Sequence, residues 1–137
     1  MSGCEIQFSM TQHEIDLSTI FNSIGGAPTF ERIVDNFYAG VAEDPVLRQM
    51  YPEDLTESKR FLVLFLIQYF GGPGTYSQER GHPRLRMRHM PFVIGQAERD
   101  AWMGHMTAAV AAEKLPDDIQ VALLSYFDRV ATFMMNQ

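Results

Sequence analysis

Cysteine is nearly missing: Cys4 is the single one among 137 residues. One thiol excludes a disulfide scaffold, a CxxC redox pair and a cysteine-built zinc site. Long apolar runs are missing too. The longest, Phe61 to Ile67, has seven residues, whereas a helix that crosses a bilayer needs about 20. Basic charge is scarce: 11 Lys and Arg stand against 17 Asp and Glu, for a net charge of −6. A polyanion-binding surface needs the opposite balance, so no nucleic-acid partner is expected. The chain does not open on a basic stretch followed by an apolar one, so no signal peptide is expected and the expected address is the cytoplasm. Internal repeats are absent. So are the Walker loop, GxGxxG after a strand, HExxH and GxSxG.

What remains is ordinary globular composition, 46% hydrophobic and 20% charged, enough for one domain with one core. Residues 1–17 read as a mobile leader and 18–137 as the domain. A short helix over 14–23 is stopped by Gly25 and Gly26. Phe30, Ile33, Val34, Phe37, Tyr38 and Val41 recur at i, i+3, i+4, i+7, i+8 and i+11, one apolar face of a helix that starts at Pro28-Thr29 and closes at Asp44-Pro45. Val46 to Tyr51 forms a helical corner. A further helix runs from Asp54 or Thr56 to Phe70, with Thr56 supplying the capping oxygen and Glu57 the N-terminal negative charge. It is apolar all round over Phe61 to Ile67, which predicts a place in the middle of the fold. Residues 71–82, with four glycines and a proline, read as loop. Pro83 to His89 makes at most two helical turns. Gln96 to Glu113 is a long helix with Trp102, Met106, Ala109 and Val110 inward and His105 at the edge. The last helix, Asp117 to about Met135, carries Ile119, Leu123, Tyr126, Phe127, Val130, Phe133 and Met134. The fold class is all-α, without a hairpin signal.

Few residues invite chemistry. Cys4 lies in the leader, away from any evident base. Adjacent carboxylates such as Glu53-Asp54 do not face one another on a helix and serve as caps or solvated charges. No two of His13, His82, His89 and His105 have the i, i+3 or i+4 spacing of a metal pair. A lone histidine in a helical protein is most often structural, but His89 ends the arginine-rich turn Arg84-Leu85-Arg86-Met87-Arg88-His89. Leu85 and His89 share a face that can point inward while the arginines point out. Four of the 11 basic residues lie between Arg80 and Arg88. A solvated helix face explains them as well as a large apolar ligand with an anionic edge does. Tyr38 and Trp102 sit on core stripes, and Tyr51 sits at a corner. Their O–H and N–H groups need partners, which backbone carbonyls can supply one at a time, or which a shared polar spot in an apolar pocket can supply together.

Several segments, in order, resemble the truncated haemoglobins, specifically their second group. They are Ile24-Gly25-Gly26, Asn36-Phe37-Tyr38, Met50-Tyr51-Pro52-Glu53-Asp54-Leu55 and Gln68-Tyr69-Phe70-Gly71-Gly72-Pro73. The most specific is Gly81-His82-Pro83-Arg84-Leu85-Arg86-Met87-Arg88-His89 with Pro91-Phe92, and Arg99-Asp100-Ala101-Trp102 completes the set. The resemblance runs from Ser18 to Asn136. It implies a truncated globin fold, a two-over-two helical sandwich around haem b. It makes His89 the proximal iron ligand and places Tyr38, Tyr51 and Trp102 on the distal side with Ser58 and Leu62. Phe37, Phe65, Tyr76, Arg84, Met87, Arg88 and Phe92 become the expected haem contacts. At Phe61 some relatives carry an arginine that meets a haem carboxylate, a role left here to Arg60, Arg84 or Arg88.

The implied ligand is O₂, or another diatomic such as NO or CO. A bound diatomic with partial negative charge is stabilised by phenol and indole donors. Hydrogen bonds to a full charge contribute about 1.5–3 kcal/mol each, so two would slow escape by at most roughly 10²–10⁴-fold. Slow release suits scavenging, sensing or redox chemistry better than bulk transport. NO dioxygenation and peroxide-dependent oxidation stay open, both with an unidentified electron donor. No catalytic acid or base is assigned, and the chain is expected as a monomer or homodimer. The alternative from another class is a cofactor-free helical interaction module.

Overall fold

The computed structural model describes residues 16–137. The expected leader therefore falls, but for its last two residues, outside the described residues, and so do Cys4 and His13. Every regular element among the described residues is helical. After a 3₁₀ turn at Leu17–Thr19 come α1 (Ile20–Ser23), α2 (Ala27–Ala42), α3 (Pro45–Arg48), α4 (Thr56–Tyr69), α5 (Thr75–Arg80), α6 (Leu85–His89), α7 (Gln96–Ala111) and α8 (Asp117–Phe133). No helix among them is long and apolar enough to cross a membrane.

α2 forms where the apolar period predicts it, with Pro28 in its first turn. Phe30, Ile33, Val34, Phe37, Tyr38 and Val41 are all buried. This stripe packs on α4 to one side and on α7 to the other, and α7 packs on α8. The result is two helix pairs, α2 with α4 and α7 with α8, joined through α2 and α7. Phe70, Met106 and Leu123 are fully buried between them.

Glycine decides how the first segment docks. Gly71 has φ +103°, and a Cβ there would stand 1.7 Å from the carbonyl oxygen of Ser18. With no side chain in the way, Phe21 N–H donates to Phe70 O at 2.9 Å, which fixes α1 onto the end of α4.

Three expectations need correction. Residues 71–82 are not all loop, because α5 forms within them. Its support is tertiary: Gln68 Nε2 donates to Ser77 Oγ at 2.7 Å, and Ser77 N–H donates to Gln68 Oε1 at 2.9 Å. Thr56 does not cap α4: it is the first helical residue, after Leu55, whose side chain makes no capping bond, and the Asp54 carboxylate accepts the Thr56 N–H at 3.0 Å. Finally, α4 is not covered on all sides. Only Leu66 and Ile67 are buried in it, and Phe61 to Phe65 are half-buried. The apolar surface that looked like a core helix borders a cavity.

Candidate functional site

The cavity arises because α4 touches α8 closely at one end. There Tyr69 stacks on Tyr126 with ring centroids 4.3 Å apart, and Phe70 meets Tyr126 at 5.2 Å and Phe127 at 6.4 Å. Toward its start α4 instead lines a space of about 470 Å³ with Ser58, Phe61, Leu62 and Phe65. Opposite walls come from Ile94, Val130 and Met134, and His89, Tyr38, Tyr51 and Trp102 reach the same space. Its volume is within the range of cofactor pockets.

His89 ends α6, and its Nδ1 lies 2.6 Å from the Leu85 carbonyl oxygen. A carbonyl only accepts, so Nδ1 carries the hydrogen and donates. The neutral ring then keeps a lone pair on Nε2, the form and orientation a metal requires. The i, i+4 spacing that puts Leu85 and His89 on one face thus also sets the tautomer. Arg84 starts this turn in the left-handed region, φ +48°, with its N–H donating to His82 Nδ1 at 3.1 Å.

Tyr38 comes from α2, Tyr51 from the corner after α3, and Trp102 from α7. The Tyr38 and Tyr51 rings meet edge to face at 5.5 Å. The Tyr51 hydroxyl is within side-chain hydrogen-bonding reach of both the Tyr38 hydroxyl and the Trp102 indole. Burial pushes Tyr51 up to about 12, against the downward pull of the donors Trp102 and Tyr38. Tyr38 is raised further, by burial first and then by its neighbour Tyr51. All three groups therefore stay neutral donors across ordinary pH.

Of the other expected contacts, Ser58, Leu62, Phe65, Tyr76 and Arg88 line the cavity. Phe37, Arg84, Met87 and Phe92 are not among the lining residues. Phe37 is fully buried behind it, 5.0 Å from the Tyr38 ring and 5.2 Å from that of Trp102. Met87 is 57% exposed, and Phe92 is 38% exposed. Two guanidinium groups lie over the Phe61 ring, Arg60 at 4.9 Å and Arg80 at 4.4 Å from its centroid. Arg60 is held by Glu79 at 2.5 Å, while Arg80 and Arg88 line the cavity.

Arg80, Tyr126, Val130 and Met134 were missed as lining. The last three lie on an α8 stripe that reads as plain core, so their only signal was apolar spacing. His105 takes the ordinary structural role of a lone histidine: its Nε2 bonds Asp44 Oδ2 at 2.7 Å. Gly40 makes room for it, since a Cβ there would stand 2.3 Å from His105 Nδ1. Among the described residues no three metal-ligating side chains cluster, so a metal held at His89 needs most of its ligands from elsewhere, as a porphyrin provides. The donor set fits such a group: one oriented imidazole, apolar walls and guanidinium groups for peripheral carboxylates.

Comparison with known proteins points the same way. The family model described as bacterial-like globin matches residues 19–136. Group 2 truncated hemoglobin YjbI of Bacillus subtilis (strain 168) is 41% identical over 112 residues, covering 82% of this chain and 85% of that protein. Among solved structures, the hemoglobin of the thermophilic phototroph Chloroflexus aurantiacus aligns with a TM-score of 0.84 and 54% identity over 86% of this chain and 98% of that one. A truncated oxygen-avid haemoglobin from Bacillus subtilis aligns with a TM-score of 0.80 and 40% identity over 85% and 98%.

Proposed function

The chain belongs to the bacterial-like globin family, as a truncated haemoglobin of the second group, and from that premise we propose that it holds haem b through His89 and binds O₂ with high affinity. The family implies haem-based binding of a diatomic; tight binding and its use go beyond that implication. The observation that carries the reading is the pairing, in one cavity, of an imidazole whose Nδ1 is tied to Leu85 O with the Tyr51 hydroxyl and its neighbours Tyr38 and Trp102. The same lining supports binding of NO and CO.

The haem, when bound, supplies an iron centre that coordinates a diatomic and exchanges electrons. The chain does the rest. His89 presents one face of the site a fixed lone pair. Tyr51 lines the cavity within hydrogen-bonding reach of Tyr38 and Trp102, and a donor polarised by other donors is strengthened. Trp102 adds an N–H that cannot ionise. Ser58 and Leu62 line the space beside α4, and in its largely apolar surroundings each donor is worth more than in water. Arg80 and Arg88 are placed for the haem carboxylates. The similarity to a protein described as oxygen-avid supports slow release, and slow release favours scavenging, sensing or redox chemistry over transport. NO dioxygenation and peroxide-dependent oxidation both accord with this site, and both need an external electron donor.

A cofactor-free helical module does not account for the cavity. Half-buried Phe61, Leu62 and Phe65 forfeit packing unless something fills it. Adding haem to the purified chain tests the proposal. A strong Soret band that persists through gel filtration supports it; flat absorbance with unchanged helical content refutes it.

A further inference from the structure

Two tyrosines outside the distal cluster connect the cavity to solvent. Tyr126 lines the cavity and is 5% exposed. Its ring stacks on Tyr69 with centroids 4.3 Å apart and planes 30° from parallel. Tyr69 is 42% exposed among the described residues, whereas Tyr38, Tyr76 and Tyr126 are each at 5% or less and Tyr51 is half-buried. Phe65, also a lining residue, touches the Tyr69 ring at 6.0 Å. The most exposed phenol among the described residues is thus in van der Waals contact with a ring that borders the site. Packing alone does not require a hydroxyl at an exposed position of this stack.

We propose that Tyr69 is a surface oxidation site, joined to the cavity through the stacked ring of Tyr126, at which electron-rich reductants too large to enter the cavity are oxidised. The inference rests on the haem reading above and names hydrogen peroxide as the oxidant. Reducing H₂O₂ to two waters takes two electrons and two protons. Each electron leaves Tyr69, crosses the Tyr126 ring and reaches the cofactor held in the cavity. The Tyr69 phenolic proton passes to water, leaving a neutral phenoxyl radical. An external one-electron reductant and one proton from water restore the phenol. Two such passages, with two protons drawn from solvent, balance one H₂O₂ against two molecules of reductant. Tyr126 keeps its proton throughout, because its stacked ring serves as a tunnelling bridge to Tyr69 and is not itself oxidised.

The device has a protective side as well. Oxidising equivalents confined to the cavity would otherwise fall on Tyr38, Tyr51 and Trp102, the groups that hold the ligand. An exposed, replenishable phenol one ring away draws them out.

The test uses the haem-loaded chain mixed with hydrogen peroxide and a nitroso spin trap, followed by peptide mass mapping and EPR. The expected result is a trap adduct on Tyr69 that Tyr69→Phe removes, with the haem spectrum unchanged. Oxidation of ferrocytochrome c, a donor too large for the cavity, falls in the same variant. Tyr126→Leu loses most of the Tyr69 adduct, and Tyr126→Phe, which keeps the ring, restores it. Should Tyr126→Leu fail to fold, the exposed Tyr69→Phe decides alone. Adducts confined to Tyr38, Tyr51 or Trp102, or an equal yield of ferricytochrome c from Tyr69→Phe, overturn the inference while leaving the haem reading intact. A chain that takes up no haem overturns both.

Discussion

His89, Tyr51 and Trp102 carry distinct loads, and each can be removed alone. Among the described residues, His89 is the side chain placed to offer the cavity an oriented imidazole lone pair. His89→Ala is expected to lose haem on gel filtration, and added free imidazole should restore the ferrous spectrum. Retention of haem with an unaltered spectrum would show that another group ligates the iron. Trp102→Phe keeps an aromatic ring and deletes one N–H. A charge-assisted hydrogen bond of about 1.5–3 kcal/mol corresponds to roughly 10–100-fold in a rate, so stopped-flow O₂ release should accelerate by up to that amount. The same variant should shift Tyr51 in a definite direction. Its phenol, pushed up to about 12 from 10.0 by burial, is pulled partly back by donation from Trp102, so loss of the indole raises it further. Raised phenols bind their protons more tightly folded than unfolded. The stability they contribute is complete below pH 10 and drains away as pH climbs toward about 12. Urea midpoints flat up to pH 10 and falling beyond it, in step with phenolate absorbance, check the sign.

Helices whose side chains face a packed neighbour were legible, and those shaped by distant contacts were not. The α2 period survives almost unchanged because its stripe meets both α4 and α7. The extent of α5 could not be read from Thr75 to Arg80 alone, since its anchor is Gln68 on another helix. Nor could α4's start be read from the capping preference of Thr, because Asp54, two residues earlier, accepts the N–H of Thr56 itself. The turns are a different case: Gly25-Gly26 and Gly71-Gly72 could be read as breaks, but not as docking points. That role belongs to Gly71, whose hydrogen is all that separates it from the Ser18 carbonyl. At φ +103° an alanine is strained even before it collides. Gly71→Ala should therefore cost more than about 1 kcal/mol of unfolding free energy, read by urea denaturation. A neutral result would mean that α1 contributes nothing to the fold it caps.

At the scale of the molecule, the site is the part of the fold that stays unpacked. Residues 38, 51, 89 and 102 are far apart in the chain, and no spacing rule joins them; a shared polar spot is one of two open readings of the residues, the resemblance selects it, and even the resemblance does not reveal Arg80 or the α8 wall. An apolar run such as Phe61 to Ile67 reads identically whether it faces protein or cofactor, which is why its sequence predicts a core helix. The distinction is energetic. With haem in place the half-buried face of α4 gains a partner, and binding to the folded state alone stabilises it by about 2.7 kcal/mol at a free concentration one hundred times the dissociation constant. Haem removal should lower the urea midpoint accordingly. The loss should also be local. Amides of α6 and the first two turns of α4 border the cavity and should exchange faster without haem, whereas α2 and α7, packed on each other, should keep their protection. Uniform acceleration across all helices would instead mean that haem organises the whole fold, and identical exchange with and without it would mean that the cavity is not where haem binds.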